Sequence, residues 1–102
     1  MILIQGYLRT SPEGAAKLKA AAAPLIAATR QEPGCIAYAF AEDIGESGLV
    51  HIVERWTDAN ALEAHNRTPH LAAFMAAMPT LGVSSFRVAR YDASAETVLA
   101  GG

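Results

Sequence analysis

Strand-like segments with apolar residues at successive positions limit the possible folds of this chain more than any other feature. The segment ILIQGYLR, residues 2–9, is apolar at nearly every position. In CIAYAFAED, residues 35–43, the large side chains of Ile36, Tyr38 and Phe40 alternate with small ones. Because neighbouring strand residues point to opposite faces, both faces of such a sheet need cover. The sequence predicts helices on one face and a further protein layer on the other.

Cap residues indicate where helices begin between the strands. A serine–proline pair at residues 11–12 and a threonine–proline pair at residues 68–69 combine an N-cap hydroxyl with a first-turn proline. Thr57 or Asp58 supplies a third cap. These signals predict helices over residues 11–30, 57–66 and 70–78.

The order of the predicted elements indicates the fold. Segments 49–56 and 83–91 complete the order strand, helix, strand, strand, helix, strand, with the second helix split in two. This β-α-β-β-α-β order is the ferredoxin-like α+β arrangement, an antiparallel four-stranded sheet with helices on one face. A second copy of the chain, packed sheet to sheet, would bury the other face. We predict a homodimer whose domain spans residues 1–92, followed by a tail of small residues, 93–102.

Length, charge and cysteine content exclude several classes of protein. The chain has 102 residues, enough for one domain with a modest core. Eight basic and ten acidic residues give a net charge of −2, without a basic cluster that would bind a nucleic acid backbone. No apolar run reaches the roughly 18 residues that span a bilayer, and Cys35 is a lone cysteine. We expect a soluble, cytoplasmic protein that binds neither nucleic acid nor membrane.

The segment ERWTDANALEAHNRTPH, residues 54–70, holds the chain's only tryptophan and two of its three histidines. Glu54, His65 and His70 would together form a two-histidine, one-carboxylate set that suits non-haem iron. However, the histidines are five residues apart across a proline break, unlike the i, i+4 pairs of helical zinc motifs. We therefore predict a site without a metal.

Each of these two histidines allows two interpretations. Either one can hydrogen-bond the backbone at the break between the helices, which is a structural role. Alternatively, an imidazole with a pKa near 6.5 can act as a general base that accepts a proton from a bound substrate. We take His65 and His70 as candidate catalytic bases and keep the structural role as the alternative.

A cavity between sheet and helices would be lined by large apolar side chains. Such residues lie more often in a core than in a site, but they are also the usual wall of an organic pocket. Phe74 and Met75 belong to a predicted buried stripe of the last helix. The candidate substrate-binding residues are Tyr7, Tyr38, Phe40, Trp56, Phe74 and Met75.

The third strand is predicted to divide its polar residues between the two faces of the sheet. Glu54 shares one side with Trp56, whereas His51 lies on the other. A buried carboxylate needs a partner, and an arginine of the last strand, Arg87 or Arg90, is the expected one.

Two segments together resemble the antibiotic-biosynthesis monooxygenase family. They are EPGCIAY, residues 32–38, and ERWTDANALEAHNRTPHLAAF, residues 54–74. The combined pattern Glu-x-Trp-x-Asp-x-x-Ala-Leu-x-x-His-x-x-Thr-x-His is specific to this superfamily. The resemblance implies a dimeric α+β barrel. It also implies that some relatives oxidise polyketide anthrones or quinols with molecular oxygen and without metal or flavin.

Related haem-degrading enzymes share this fold, but their pattern is not found here. The resemblance would place an asparagine on the first strand and a haem-binding histidine on the last helix. The first strand here contains no asparagine, and the helix after His70 reads LAAFMAAM. Haem degradation is therefore not expected.

The functional hypothesis is a cofactor-independent monooxygenase that acts on an anthrone, a polycyclic phenol or a quinol. A deprotonated, electron-rich substrate can reduce dioxygen itself, so the protein needs only a base, a dry cavity and a fixed orientation. The expected partners are a small aromatic substrate and molecular oxygen, with no cofactor. The alternative is a non-catalytic small-molecule-binding or stress-associated dimer with the same fold.

Overall fold

Strands and helices follow one another in the predicted order. The computed structural model describes residues 1–102. The strands are β1 (Ile2–Thr10), β2 (Cys35–Glu42), β3 (Leu49–Trp56) and β4 (Val83–Asp92). The helices are α1 (Pro12–Thr29), α2 (Ala59–Asn66) and α3 (Pro69–Ala77), followed by a 3-10 turn, Met78–Thr80. All strand pairs are antiparallel in the order β2-β3-β1-β4, which confirms the ferredoxin-like α+β prediction.

Each helix begins at a side chain that accepts a hydrogen bond from a backbone N–H three residues later. The caps are Ser11, Asp58 and Thr68, with distances of 3.0, 2.9 and 3.4 Å. Of the two candidates before α2, Asp58 is the cap. None of the three helices combines the length and hydropathy that crossing a bilayer requires.

The core lies between the helices and one face of the sheet, called here the helix-side face. Even-numbered residues of β1 and β3 pair across this face, as Ile2 does with Trp56 and Leu8 with Val50. Helix α1 covers it with Leu18 and other small or apolar residues. Trp56 and Leu8 are completely buried, so this layer supplies most of the apolar burial that stabilises the fold.

The opposite face of the sheet, called here the far face, is more polar than the strand sequences suggested. Tyr7 lies here, opposite His51 on one neighbouring strand and Arg87 on the other. Exposed apolar side chains such as Val53 and Tyr91 share this face with charged ones. Its ion pairs are Arg9–Glu46, His51–Asp43 and Arg55–Glu96.

A β-bulge interrupts the alternation that was predicted for β2. Cys35 pairs with Trp56, but the next pair along joins Ala37 to Arg55. One residue, Ile36, is therefore extra, and it is 47% exposed instead of sharing a buried face with Tyr38. The prediction of an unbroken large/small alternation was wrong at this position because the bulge reverses the phase of the strand.

Strand β4 is the least covered part of the helix-side face. Phe86 and Val88 remain 42% and 41% exposed, because the helices leave most of β4 uncovered. Beside it, α3 buries only Phe74, and Met75 is 46% exposed, so the predicted buried stripe of this helix was wrong at Met75. A Cβ atom at Gly6 would lie 1.9 Å from a carbonyl oxygen of β4, so only glycine fits where β1 and β4 approach most closely.

Candidate active site

A cavity of about 250 Å³ lies between the helix-side face and helices α2 and α3. Most of its lining is apolar, and its polar lining groups include Glu54 and His65. Such a largely apolar space with a few polar groups is the usual form of a small-molecule site. Four predicted substrate-binding residues line it, namely Tyr38, Phe40, Phe74 and Met75.

Three of the remaining predicted site residues, Trp56, Tyr7 and His70, do not line this cavity. Trp56 is completely buried and lies behind the wall, not in it. Tyr7 lies on the far face, on the other side of the sheet. Of the two candidate bases, His65 lines the cavity and His70 does not. The predicted site residues are thus divided between those that line the cavity, two that do not, Trp56 and His70, and Tyr7 on the other face of the sheet.

His65 is the most enclosed polar side chain near the cavity. Its side chain is only 2% exposed, because it lies on the same face of α2 as Leu62 and points to the sheet. Its ring centroid lies 4.8 Å from that of Trp56 and 5.3 Å from that of Tyr38. These two rings fix the plane of the imidazole.

The two ring nitrogens of His65 have different surroundings. Nδ1 lies 2.9 Å from Oε2 of Glu32, whereas Nε2 takes part in none of the side chain's hydrogen bonds. The only buried side-chain nitrogen or oxygen without a partner is Oγ1 of Thr29. Nε2 of His65 is therefore not sealed within the protein, and His65 is one of the residues that line the cavity.

Glu32 brings the two candidate histidines together. Its Oε2 lies 2.9 Å from Nδ1 of His65 and 2.6 Å from Nε2 of His70. The carboxylate is 12% exposed and the His70 side chain 25%, so His70 forms the solvent side of the cluster. The carboxylate at the histidines is Glu32, and the set Glu54, His65 and His70 considered from the sequence is not the one that forms.

The turn between α1 and β2 places Glu32 beside α2. Gly34 has a φ of +82°, and a Cβ atom there would lie 2.6 Å from the Cβ of Ala61 in α2. Its carbonyl oxygen accepts a hydrogen bond of 2.9 Å from the backbone of Thr57. The glycine therefore permits both the turn and its close contact with α2.

A cation could use the same three side chains. The ligand atoms of Glu32, His65 and His70 all lie within 4.8 Å of one another, and two imidazoles with one carboxylate suit several transition metals. In the present geometry both imidazole nitrogens lie within hydrogen-bond distance of Oε2 of Glu32.

Glu32 is a site residue that no sequence pattern had predicted. It lies 33 residues from His65 and 38 from His70, so no local periodicity connects them. The available signal was the segment EPGCIAY, which begins with Glu32 and carries part of the family resemblance.

Glu54 has a different partner from the predicted one. It accepts a hydrogen bond of 3.0 Å from Nε1 of Trp56, whereas Arg90 pairs with Asp92. The prediction of a partner at Arg87 or Arg90 was wrong, because residues two apart on a strand share a face and Trp56 reaches the carboxylate first. Burial raises the pKa of Glu54, and the bond from Trp56 opposes this effect.

Burial also keeps two further groups near the cavity in their protonated forms. It raises the pKa of the Tyr38 hydroxyl, and the negative charges of Glu54 and Glu32 raise it further. It raises the pKa of the Cys35 thiol as well, again with smaller contributions from the two glutamates. Tyr38 is therefore a hydrogen-bond donor at neutral pH, and Cys35 favours its protonated, less nucleophilic form.

A second cavity is larger but lacks comparable chemical groups. It measures about 550 Å³ and lies between α1 and the strands β2 and β3. Its lining is mainly alanine and other apolar residues, with Lys19 and Glu42 as the charged members. Because it contains no histidine, hydroxyl or thiol, we assign the candidate active site to the smaller cavity.

Comparisons with known proteins identify similar sequences and structures. The family model for antibiotic biosynthesis monooxygenases matches residues 1–77. The Bacillus subtilis protein YcnE, provisionally designated a monooxygenase, is 33% identical over 76 residues, which are 74% of this chain and 80% of YcnE.

Two solved structures extend this similarity. One, from Deinococcus radiodurans, is provisionally designated an antibiotic biosynthesis monooxygenase. It has a TM-score of 0.92 and 31% identity over 99% of this chain and 100% of its own. Protein SO0527 of Shewanella oneidensis has a TM-score of 0.81 and 32% identity, covering 88% of this chain and 87% of its own.

Proposed function

Because the chain belongs to the antibiotic biosynthesis monooxygenase family, we propose that it oxidises an electron-rich aromatic compound with molecular oxygen. The substrate class is an anthrone, a polycyclic phenol or a quinol, and the reaction uses no bound cofactor. One observation carries this proposal: a buried imidazole, His65, has a nitrogen without a hydrogen bond at the wall of an apolar cavity. This combination suits removal of a proton from an aromatic substrate.

The first step is transfer of a substrate proton to Nε2 of His65. In an anthrone the proton comes from the ring methylene, and in a phenol it comes from the hydroxyl group. The resulting anion is shielded by apolar residues such as Phe40 and Phe74, so it is less stabilised by water than it would be in solution. The neutral hydroxyl of Tyr38 is a donor that can bind the substrate oxygen.

The second step is the reaction of the anion with dioxygen. The anion donates electrons to dioxygen and a carbon–oxygen bond forms at the activated carbon. The oxygen–oxygen bond then breaks as water leaves. For an anthrone, the methylene group becomes a carbonyl group: one oxygen atom stays in the product, and the other leaves with both methylene hydrogens as water. The substrate supplies all four electrons, so no external reductant is needed.

The aromatic wall provides the orientation. Phe40 and Phe74 meet edge to face with centroids 5.8 Å apart, and Tyr38 lies 5.7 Å from Phe40. Flat, rigid rings of this kind pack against a planar polycyclic substrate at little entropic cost. The cavity of about 250 Å³ lies close to the lower end of small-ligand sites, roughly 300 Å³, which favours a compact substrate.

The proposal includes a homodimer. Val53 and Tyr91 leave apolar surface on the far face, and a second copy packed there would bury it. Sedimentation at micromolar concentrations should give the mass of two chains. A stable single chain would contradict this part of the proposal and would leave the proton-transfer chemistry untouched.

Oxygen uptake tests the reaction. Anaerobic protein is mixed with a panel of anthrones, naphthols and quinols, then exposed to air, and oxygen consumption is followed. Loss of the base in His65→Gln should lower the rate about 100-fold or more. His51→Gln is the matched control, because His51 also bonds a carboxylate but lies on the far face.

Two results would contradict this proposal. If the wild-type protein consumes no more oxygen than buffer across the panel, the non-catalytic alternative gains support, and ligand binding should then be measured directly. If His65→Gln is as active as wild type, the reaction class stands but His65 is not the base.

A further inference from the structure

The carboxylate of Glu32 joins two histidines that belong to different helices. His65 lies in α2 and His70 in α3, and the turn between them is closed by a hydrogen bond of 2.7 Å from Oγ1 of Thr68 to the backbone oxygen of His65. Both imidazoles approach the same atom, Oε2 of Glu32. The order of contacts from solvent to cavity is therefore His70, Glu32, His65.

The contact with Glu32 determines the tautomer of His65. An ionised carboxylate only accepts hydrogen bonds, so each nitrogen in contact with Oε2 must carry a proton. For His65 this nitrogen is Nδ1, and a neutral imidazole carries only one proton. Nε2 is then unprotonated, which is the form that a base facing the cavity requires.

The hydrogen bond to Glu32 selects the orientation of the ring. Trp56 and Tyr38 fix the plane of the nearly buried imidazole. A flipped ring has almost the same shape, but it would put a carbon atom in place of Nδ1 and lose the bond to Glu32. The other titratable groups near the ring are Glu54 on β3 and Tyr38 on β2. Neither is the hydrogen-bond partner of Nδ1, so orientation and tautomer depend on Glu32.

We propose that Glu32 and His70 are positioning residues for His65. Glu32 holds the Nδ1–H tautomer of His65, and His70 holds the Glu32 carboxylate by donating from Nε2 at 2.6 Å. His70 does not line the cavity, so in this arrangement it acts through Glu32 and does not touch the substrate. The inference rests on the proposed function of His65, and it replaces two independent bases with a single base and two supporting groups.

The tautomer can be measured without any substrate. Nitrogen-15 NMR of protein labelled at histidine distinguishes Nδ1–H from Nε2–H imidazoles. His51→Gln, His65→Gln and His70→Gln assign the signals of the three histidines. The expected wild-type result is a neutral His65 protonated at Nδ1. A His65 that carries a proton on Nε2, neutral or cationic, overturns the proposal. If His65→Gln does not fold, His51→Gln and His70→Gln still assign the His65 signals by elimination.

Glu32→Leu tests whether the carboxylate is the cause. This variant removes the acceptor, so the Nδ1–H form of His65 should fall from the dominant to the minor tautomer. Asp43→Leu is the control, because it removes the carboxylate partner of His51 and should leave the His65 signals unchanged. Retention of the Nδ1–H form in Glu32→Leu overturns the role of Glu32.

Oxygen uptake separates this inference from the proposed function. On a substrate that the wild type oxidises, Glu32→Leu should lower kcat on the order of 100-fold with little change in KM, and His70→Gln should lower it about 10-fold. An unchanged kcat in both variants overturns the positioning roles, even if the His65→Gln result supports the base. If no substrate is oxidised, the proposed function fails while the NMR result still decides the tautomer.

Discussion

Two histidine–carboxylate pairs with nearly the same geometry lie on opposite faces of one sheet. His65 and Glu32 are 2.9 Å apart on the helix side, and His51 and Asp43 are 2.8 Å apart on the far face. The His65 side chain is 2% exposed and that of His51 is 48% exposed. An exposed pair is screened by water and contributes little, whereas a buried one is strong and fixes orientation. The contrast shows that burial beside a cavity, not pairing itself, makes a candidate site.

Strand β3 shows a similar contrast between the two faces within eight residues. Alternation sends His51 and Val53 to the far face and sends Glu54 and Trp56 to the helix-side face. Substitutions at neighbouring positions of the strand can therefore be compared in the same backbone environment.

The largest contrast should come from truncating an apolar residue on each face of β3. Trp56 is completely buried, so Trp56→Ala should lower the free energy of unfolding by about 3–5 kcal/mol. Val53 is 43% exposed, and Val53→Ala should change it by less than about 0.5 kcal/mol in the monomer. Urea denaturation measures both. Similar losses would mean that the far face is as closely packed as the core.

The next contrast compares the two carboxylates. Glu32→Leu leaves the N–H groups of His65 and His70 without an acceptor in a mostly enclosed place, which should cost about 1–3 kcal/mol. In the single chain, Asp43→Leu affects a pair that water can replace, so the loss of stability should be clearly smaller there. Equal losses in denaturation experiments would contradict the distinction between the two faces.

The pH dependence of stability tests the effect of burial on Glu54. Burial raises the pKa of Glu54 in the folded state. At pH values between the ordinary and the raised pKa, this carboxyl group is therefore protonated more often in the folded protein than in the unfolded chain. The stabilising contribution is therefore present at low pH and is lost as pH rises through the folded pKa. Glu54→Gln, which can still accept the bond from Trp56, should be more stable relative to wild type at pH 8 than at pH 5. A difference that is constant with pH would contradict the stated effect of burial.

The smallest effect is expected at the exposed pair. The hydrogen bond to His51 lowers the pKa of Asp43, so the stability from this carboxylate is present above its ordinary pKa and is lost as pH falls through the lowered value. His51→Gln should return the pKa of Asp43 toward its ordinary value. Carbon-13 NMR titration of the carboxyl group measures the change, and denaturation at pH 7 should show little difference. An unchanged titration would mean that another group holds the carboxylate.

Local features of the fold were predictable from the sequence. The helix caps Ser11 and Thr68 follow from side chains that bond the backbone three residues later, and neither depends on the rest of the chain. The opposite placement of His51 and Trp56 follows from strand periodicity alone. The order of these elements was sufficient to identify the sheet topology, because the β-α-β-β-α-β arrangement limits the possible connections.

The parts that could not be predicted depend on register and on contacts between distant residues. The bulge at Ile36 changes the face of one residue without a local signal such as glycine or proline at that position. The pairing of Glu32 with His65 needs the turn after α1 to lie beside α2, which only the folded chain defines. Met75 fits the helical periodicity of a buried stripe, but it is exposed because β4 is uncovered there.

The open side of the cavity has a consequence for how such proteins diversify. Three residues that line the cavity, Phe86, Val88 and Met75, are each more than two-fifths exposed. A change in the size of one of these side chains therefore disturbs little packing. Replacing one of them should alter the shape of the entrance at little expense in stability, whereas the His65 side remains enclosed by Trp56. Under the proposed function, a lineage could therefore change which compound it accepts through this rim and keep His65 and its partners unchanged.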